Sequence, residues 1–113
     1  MAKLAPDLLR TIFQLQQHLI ELIDEAGATE QSLLTSFGET PETIVELEEA
    51  QNARERLTLS YSRLSTLVLR VAEYQPIAPN ATMNLLLEAI AQAEATAEAA
   101  KASISEIQRY WGL

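Results

Sequence analysis

The chain has no cysteine and a single histidine in 113 residues. The first absence excludes a disulfide framework, a thiolate metal site and a cysteine nucleophile. The second leaves no histidine pair to hold zinc and no Glu-x-x-His unit for a carboxylate di-iron site. Glycine and proline are scarce, at three and four residues, so the chain has few places to turn. Bases are also few. Eight Lys and Arg stand against 16 Asp and Glu, for a net charge of −8. That balance disfavours nonspecific contact with nucleic acid or anionic lipid, because phosphate binding needs clustered cations. It leaves room for a basic protein partner. No apolar run approaches the roughly 20 residues that cross a bilayer. Met1 to Asp7 carries no hydrophobic secretory core before the first charges. A cytoplasmic protein with no nucleic-acid partner and no membrane partner is expected. There is no glycine-rich phosphate loop, no Ser-His-Asp set and no basic-aromatic strand pattern, and no cofactor is expected.

What the chain does have is helical periodicity. Met83, Leu86, Ile90, Ala93, Ala97, Ala100, Ile104, Ile107 and Trp111 recur at alternating steps of three and four. This is the seam of a long helix packed along its whole length. It is bulky at both ends and alanine-only in the middle, so a neighbour there must come close or bring large side chains of its own. Near the start, Pro6 and Asp7 suit a first helical turn. Leu8, Leu9, Ile12, Phe13, Leu15, Leu19, Ile20, Leu22, Ile23 and Ala26 then cover an arc of about 180° on a helical wheel. So wide an arc implies two neighbouring helices.

Gly27 is either a helix stop, with Thr29 capping a short helix through Phe37, or a soft point within one helix. The series Ile12, Leu19, Ala26, Leu33 keeps its phase across the glycine and favours one helix. Gly38-Glu39-Thr40-Pro41-Glu42 reads as a helix end followed by Thr40 as N-cap and Pro41 at the first helical position. The second helix has a clean seam at Leu57, Tyr61, Leu64, Val68 and Val71. Its front half is weaker, because the same seam lands on Arg54, Ala50, Leu47 and Thr43. Leu57 to Ser62 also alternates like a strand, but nothing offers that strand a partner. Gln75-Pro76-Ile77-Ala78-Pro79-Asn80 is the next boundary, with Asn80 or Thr82 to cap the third helix. Gly112 ends that helix.

The spacing thus predicts helices over about 6–37, 41–74 and 81–111, each roughly 45–50 Å long at the helical rise. The expected fold is all-α: a single helical domain over 1–113, built as an elongated antiparallel three-helix bundle, or four helices if Gly27 breaks the first. The outline resembles a spectrin-like three-helix arrangement in helix length, with no motif behind it. A bundle this thin exposes much surface. The alanine middle of the third helix, Ala93-Ala97-Ala100, can close within one chain or against a second copy. A homo-oligomer is expected, a dimer before any other.

Few residues suggest chemistry. His18 lies on the polar side of the first helix with Glu21 and Glu25 one and two turns on, and a solvated surface histidine is the favoured reading. Glu39, Glu42, Glu46, Glu48 and Glu49 crowd the start of the second helix. Glu42, Glu46 and Glu49 share a face where cations can gather, although acids at a helix N-terminus are favourable with the dipole alone. Glu21-Leu22-Ile23-Asp24 matches half of the Glu-x-x-Asp pattern of the helical nucleotide pyrophosphatases, but Glu48-Glu49 is followed three residues on by Asn52 where a third acid is needed. Arg56, Arg63 and Arg70 repeat every seven residues and form a cationic stripe. They can receive an acidic helix or a phosphate. The favoured alternative is a flanking row paired with neighbouring acids, Arg56 level with Glu21 and Arg70 near Glu88. Arg54 stands where the seam predicts an apolar residue, and antiparallel pairing puts it near Asp24. Tyr110 and Trp111 suit either a partner anchor or a core plug.

The function these features favour is a non-catalytic scaffold or interaction protein, with Arg56, Arg63, Arg70, Tyr110 and Trp111 as its candidate contact residues. No catalytic, cofactor or metal residue is assigned. Two alternatives stand beside it. One is a bundle holding a small apolar or anionic ligand near the alanine seam and the arginines. The other is a divalent-metal nucleotide hydrolase using Glu21, Asp24, Glu46 and Glu49.

Overall fold

The computed structural model describes residues 4–113. Met1, Ala2 and Lys3, on which part of the expectation about a secretory segment falls, lie outside the described residues. Among the described residues there are three long helices and no strand: α1 (Pro6–Phe37), α2 (Pro41–Glu73) and α3 (Asn80–Trp111). Each helix packs against both others. The bundle measures 56 × 20 × 17 Å with a radius of gyration of 17.1 Å. A spherical domain of this length has a radius of gyration of about 13 Å, so this one is a rod. No helix among the described residues is long and apolar enough to cross a membrane.

α1 is unbroken at Gly27. A Cβ built there meets nothing within 4 Å, and the backbone keeps helical dihedrals. The phase of Ile12, Leu19, Ala26 and Leu33 decides the matter, since all four are buried on one stripe and a break would misalign Leu33. Thr29 caps nothing. It is buried mid-helix, and its hydroxyl donates to the Glu25 carbonyl at 2.8 Å. The helix ends at Gly38, whose positive φ of 71° is a conformation side chains resist and whose N–H reaches the Leu34 carbonyl at 3.0 Å.

A cluster of local hydrogen bonds holds the start of α2. Thr43 donates its backbone N–H to the Thr40 hydroxyl at 3.1 Å, and Thr40 returns its own N–H to the Thr43 hydroxyl at 2.7 Å. This is a capping box in which threonine replaces the usual Glu or Gln at the third position. The Thr43 hydroxyl also donates to the Gly38 carbonyl at 2.8 Å, which binds the end of α1 to the start of α2. Thr43 is fully buried as a result, and the weak front half of the α2 seam holds: Thr43 and Ala50 are buried and Leu47 packs on a core cluster. α2 ends at Glu73, with Tyr74 already extended. Neither Asn80 nor Thr82 caps α3. Pro79 takes the N-cap position, so that helix begins without a side-chain acceptor, and the Pro79 carbonyl receives the Met83 N–H at 3.1 Å.

The main core joins Ile12, Leu15, Leu19 and Leu22 of α1 to Leu57, Leu64, Leu67 and Val71 of α2 and to Leu86 and Ile90 of α3. Ala93, Ala97 and Ala100 are buried in this same cluster, so the alanine seam closes within one chain, against leucines of its own neighbours. A smaller cluster of Leu33, Ala50 and Ile107, with Leu47 and Trp111 against it, closes the end of the rod near Gly38. Polar bridges also cross between the helices. Gln16 on α1 donates to Ser65 on α2 at 2.8 Å. Gln108 on α3 donates to Glu25 at 3.2 Å and to the Thr29 hydroxyl at 3.1 Å on α1.

Candidate functional site

One flank of α2 is left uncovered. Glu42, Glu49, Arg56, Arg63 and Arg70 stand one heptad apart along it. Val45, Asn52, Leu59 and Thr66 interleave with them, so the whole row advances by three and four like the seam of a coiled coil. Arg56, Arg63 and Arg70 each precede a core residue, Leu57, Leu64 and Val71, and therefore lie about 100° round the helix from the core. The row faces outward on the side of α3. Glu49 is half-buried and the other eight residues are exposed. Val45 is 62% exposed and Leu59 70%, although both are aliphatic.

The face is polarised along its length. Near the α1–α2 turn, α2 and α3 border an open cleft of about 540 Å³. Its carboxylates are Glu42, Glu46, Glu49 and Glu106, and its apolar surface comes from Val45, Ile107, Tyr110 and Trp111. Among the described residues no group of three or more acids or histidines is placed to hold a metal ion. The carboxylates border the cleft as a field and do not converge as ligands. Farther along α2, Arg63 and Arg70 border a second groove of about 470 Å³ with Leu59, Ser62 and Thr66, facing Leu85 of α3. The acidic end and the basic end thus belong to one continuous α2/α3 face.

The arginines do not pair as the sequence predicts. Arg56 meets Glu49 of its own helix at 3.6 Å, not Glu21. Its position on the α3 side of α2 explains this, because Glu21 belongs to the polar outer side of α1. Arg63 and Arg70 make no ion pair among the described residues, and Arg70 does not reach Glu88. Arg54 takes Glu30 in place of Asp24, with Nε 3.2 Å from the carboxylate. The alignment is too poor for a hydrogen bond, and the buried Nε is left without one. The register of Gln16 and Ser65 sets Arg54 level with Gly27, one turn from either acid, and Glu30 is the half-buried one of the two while Asp24 is exposed.

The two terminal aromatics separate. Trp111 is the core plug: half-buried on the Leu33 cluster, its ring meets Phe37 edge-on with centroids 4.9 Å apart. Its Nε1 is buried at the cleft without a hydrogen-bond partner among the described residues. Tyr110 is 80% exposed and leans edge-on against Trp111 at 5.7 Å. His18 is exposed, and the acids that share its cleft are Glu94 and Glu98 of α3, not Glu21 and Glu25 of its own helix. Glu21 and Asp24 are exposed on α1 and do not line the cleft that holds Glu46 and Glu49, so the four acids of the hydrolase reading are not brought together.

No protein-family model, curated protein or solved structure matches the chain.

Arg56, Arg63, Arg70 and Tyr110 on this face stand out in the sequence, whereas Val45, Leu59, Leu85 and Glu106 do not. For Leu59 a signal is present. The strand-like alternation of Leu57, Leu59 and Tyr61 places apolar residues on opposite sides of a helix, so Leu59 has to be exposed once Leu57 is core. Leu85 and Glu106 join the face only through the packing of α3 on α2.

Proposed function

We propose that the chain is a non-catalytic helical interaction protein that works through protein–protein contacts on its α2/α3 face. The observation that supports this reading is two pairs of uncovered apolar side chains along the face, Val45 with Tyr110 at the acidic cleft and Leu59 with Leu85 at the basic groove. Apolar surface of this kind, rimmed by charge, marks interaction sites on soluble proteins. Aromatic anchors supply much of the binding energy in such sites, while charges set orientation and partner choice. Homo-oligomerisation is part of the reading. The experiment is a comparison of complexes formed by the wild-type chain and by Leu59→Asp in extract of the source cells, separated by size. The expected result is loss of the larger species with Leu59→Asp, while Glu21→Lys on the outer side of α1 leaves it intact. Equal behaviour of all three proteins counts against the reading.

A small-ligand bundle is the second reading, and the acidic cleft supports it. Its volume of about 540 Å³ lies within the range of ligand pockets. Four carboxylates around an apolar surface suit an organic cation with an apolar body better than the anionic molecule expected from the arginines. Native mass spectrometry of the purified protein tests it: a bound small cation supports the reading, and a bare protein mass opposes it.

A further inference from the structure

We propose that the α2/α3 face is complementary to itself, and that two copies of the chain pair across it antiparallel, about a two-fold axis at Arg56. The inference rests on the reading of this face as an interaction surface and names its occupant, a second copy. The charge order along α2 carries it. Glu42, Glu49, Arg56, Arg63 and Arg70 form one heptad row with acids at one end and bases at the other. Glu42 and Arg70 each lie two heptads from Arg56, and Glu49 and Arg63 each lie one heptad from it. A two-fold axis through Arg56 therefore sets Glu42 against the second copy's Arg70 and Glu49 against its Arg63, twice over. Parallel pairing instead sets like charge on like along the whole row, a costly juxtaposition. Arg63 and Arg70, without ion pairs among the described residues of the single chain, gain carboxylate partners. Arg56 meets its own symmetry mate, and the Glu49 carboxylate at 3.6 Å in each copy offsets that repulsion.

The interleaved residues fit the same register. The axis brings Leu59 of each copy beside Asn52 of the other, with Val45 toward Thr66. On α3, Leu85, Gln92, Ala99 and Glu106 repeat every seven residues with Thr96 and Ser103 between them, and the exposed Glu88, five full turns from Glu106, adds an acid one turn from Leu85 at the arginine end. Exposed ion pairs contribute little each, so burial of Val45, Leu59, Leu85 and Tyr110 holds the pair while the charges choose its direction. The size is adequate. The row from Glu42 to Arg70 is about 42 Å long on a rod 20 Å across. Full overlap covers at most about 800 Å² per copy, the extent of a standard stable interface.

Charge reversal in the full chain tests the pairing. Glu42→Arg with Glu49→Arg makes the row all-arginine, and Arg63→Glu with Arg70→Glu makes it acidic on both sides of Arg56. Each double variant alone is expected to lose self-association and return to the 12.5 kDa monomer. The two mixed are expected to form a mixed dimer, and all four reversals in one chain restore self-pairing. Recovery on mixing also shows that each variant is folded. A chain without cysteine allows a second reading of the register. Arg56→Cys is expected to oxidise to a covalent dimer, whereas Glu42→Cys and Arg70→Cys cross-link only when mixed. A wild-type monomer at every concentration overturns the proposal. So does a dimer that survives both double reversals, or an Arg56→Cys that stays reduced in a dimeric sample. A constant monomer also removes the homo-oligomeric part of the interaction reading, whereas its protein–protein part stands or falls on the Leu59→Asp comparison.

Discussion

At the residue scale, Gly27 occupies a helix interior that has no use for glycine. Nothing lies within 4 Å of the position its Cβ would take, and its backbone is helical. Glycine there costs about 1 kcal/mol relative to alanine through the freedom it gives the unfolded chain. Gly27→Ala is expected to raise stability by that amount and the melting temperature by about 4 °C. A thermal melt checks it; a fall would show that the glycine serves a bend or contact absent from this structure. Thr43 is the opposite case, a buried polar residue whose hydroxyl holds both the Thr40 N–H and the Gly38 carbonyl. Thr43→Val keeps the volume and removes the hydroxyl, with an expected loss of about 1–2 kcal/mol in urea unfolding. Thr43→Ser retains the hydroxyl and is expected to lose less. A larger loss for serine would mean that packing of the methyl group, and not the capping box, holds this turn.

At the scale of elements, the alanine middle of α3 sets how closely the helices approach. Ala97 is buried among large α1 and α2 side chains, so Ala97→Leu is expected to overpack the core and cost about 1–3 kcal/mol in urea unfolding. Unchanged stability with an altered molecular mass would mean that copies share the seam. The three helices are legible in the chain because their signals agree. Heptad phase carries α1 across Gly27, Thr40-Pro41 opens α2, and the alternating steps of three and four run the length of α3. The illegible part depends on lateral packing. The sequence places Arg54 beside Asp24 because antiparallel pairing alone leaves the register free by a turn or more. The Gln16–Ser65 bond sets Arg54 level with Gly27, and Arg54 takes the half-buried Glu30 one turn on, not the exposed Asp24 one turn back. Likewise the spacing puts Arg56 across from Glu21, because a sequence does not tell which flank of α2 meets α1 and which meets α3.

At the scale of the whole molecule, a thin rod leaves one long face polarised from Glu42 to Arg70. Half of that face is readable in the chain, as the arginine repeat and the acidic start of α2. That both belong to one heptad row is equally present in the numbering. The aliphatic contribution of Leu85 and the added acid Glu106 are not, because only the docking of α3 brings them to the row. Leu59 is 70% exposed and packs on nothing in the core, so Leu59→Asp is expected to leave unfolding stability of the monomer within about 0.5 kcal/mol while abolishing association. Stability and association lost together would place Leu59 in the core rather than on the contact face. The most direct measurement is absolute molar mass by light scattering across a concentration series of the wild-type chain. The expected mass rises to twice 12.5 kDa and stops there, as a closed two-fold pair must. A constant mass of 12.5 kDa, or growth beyond the dimer with no plateau, would contradict it.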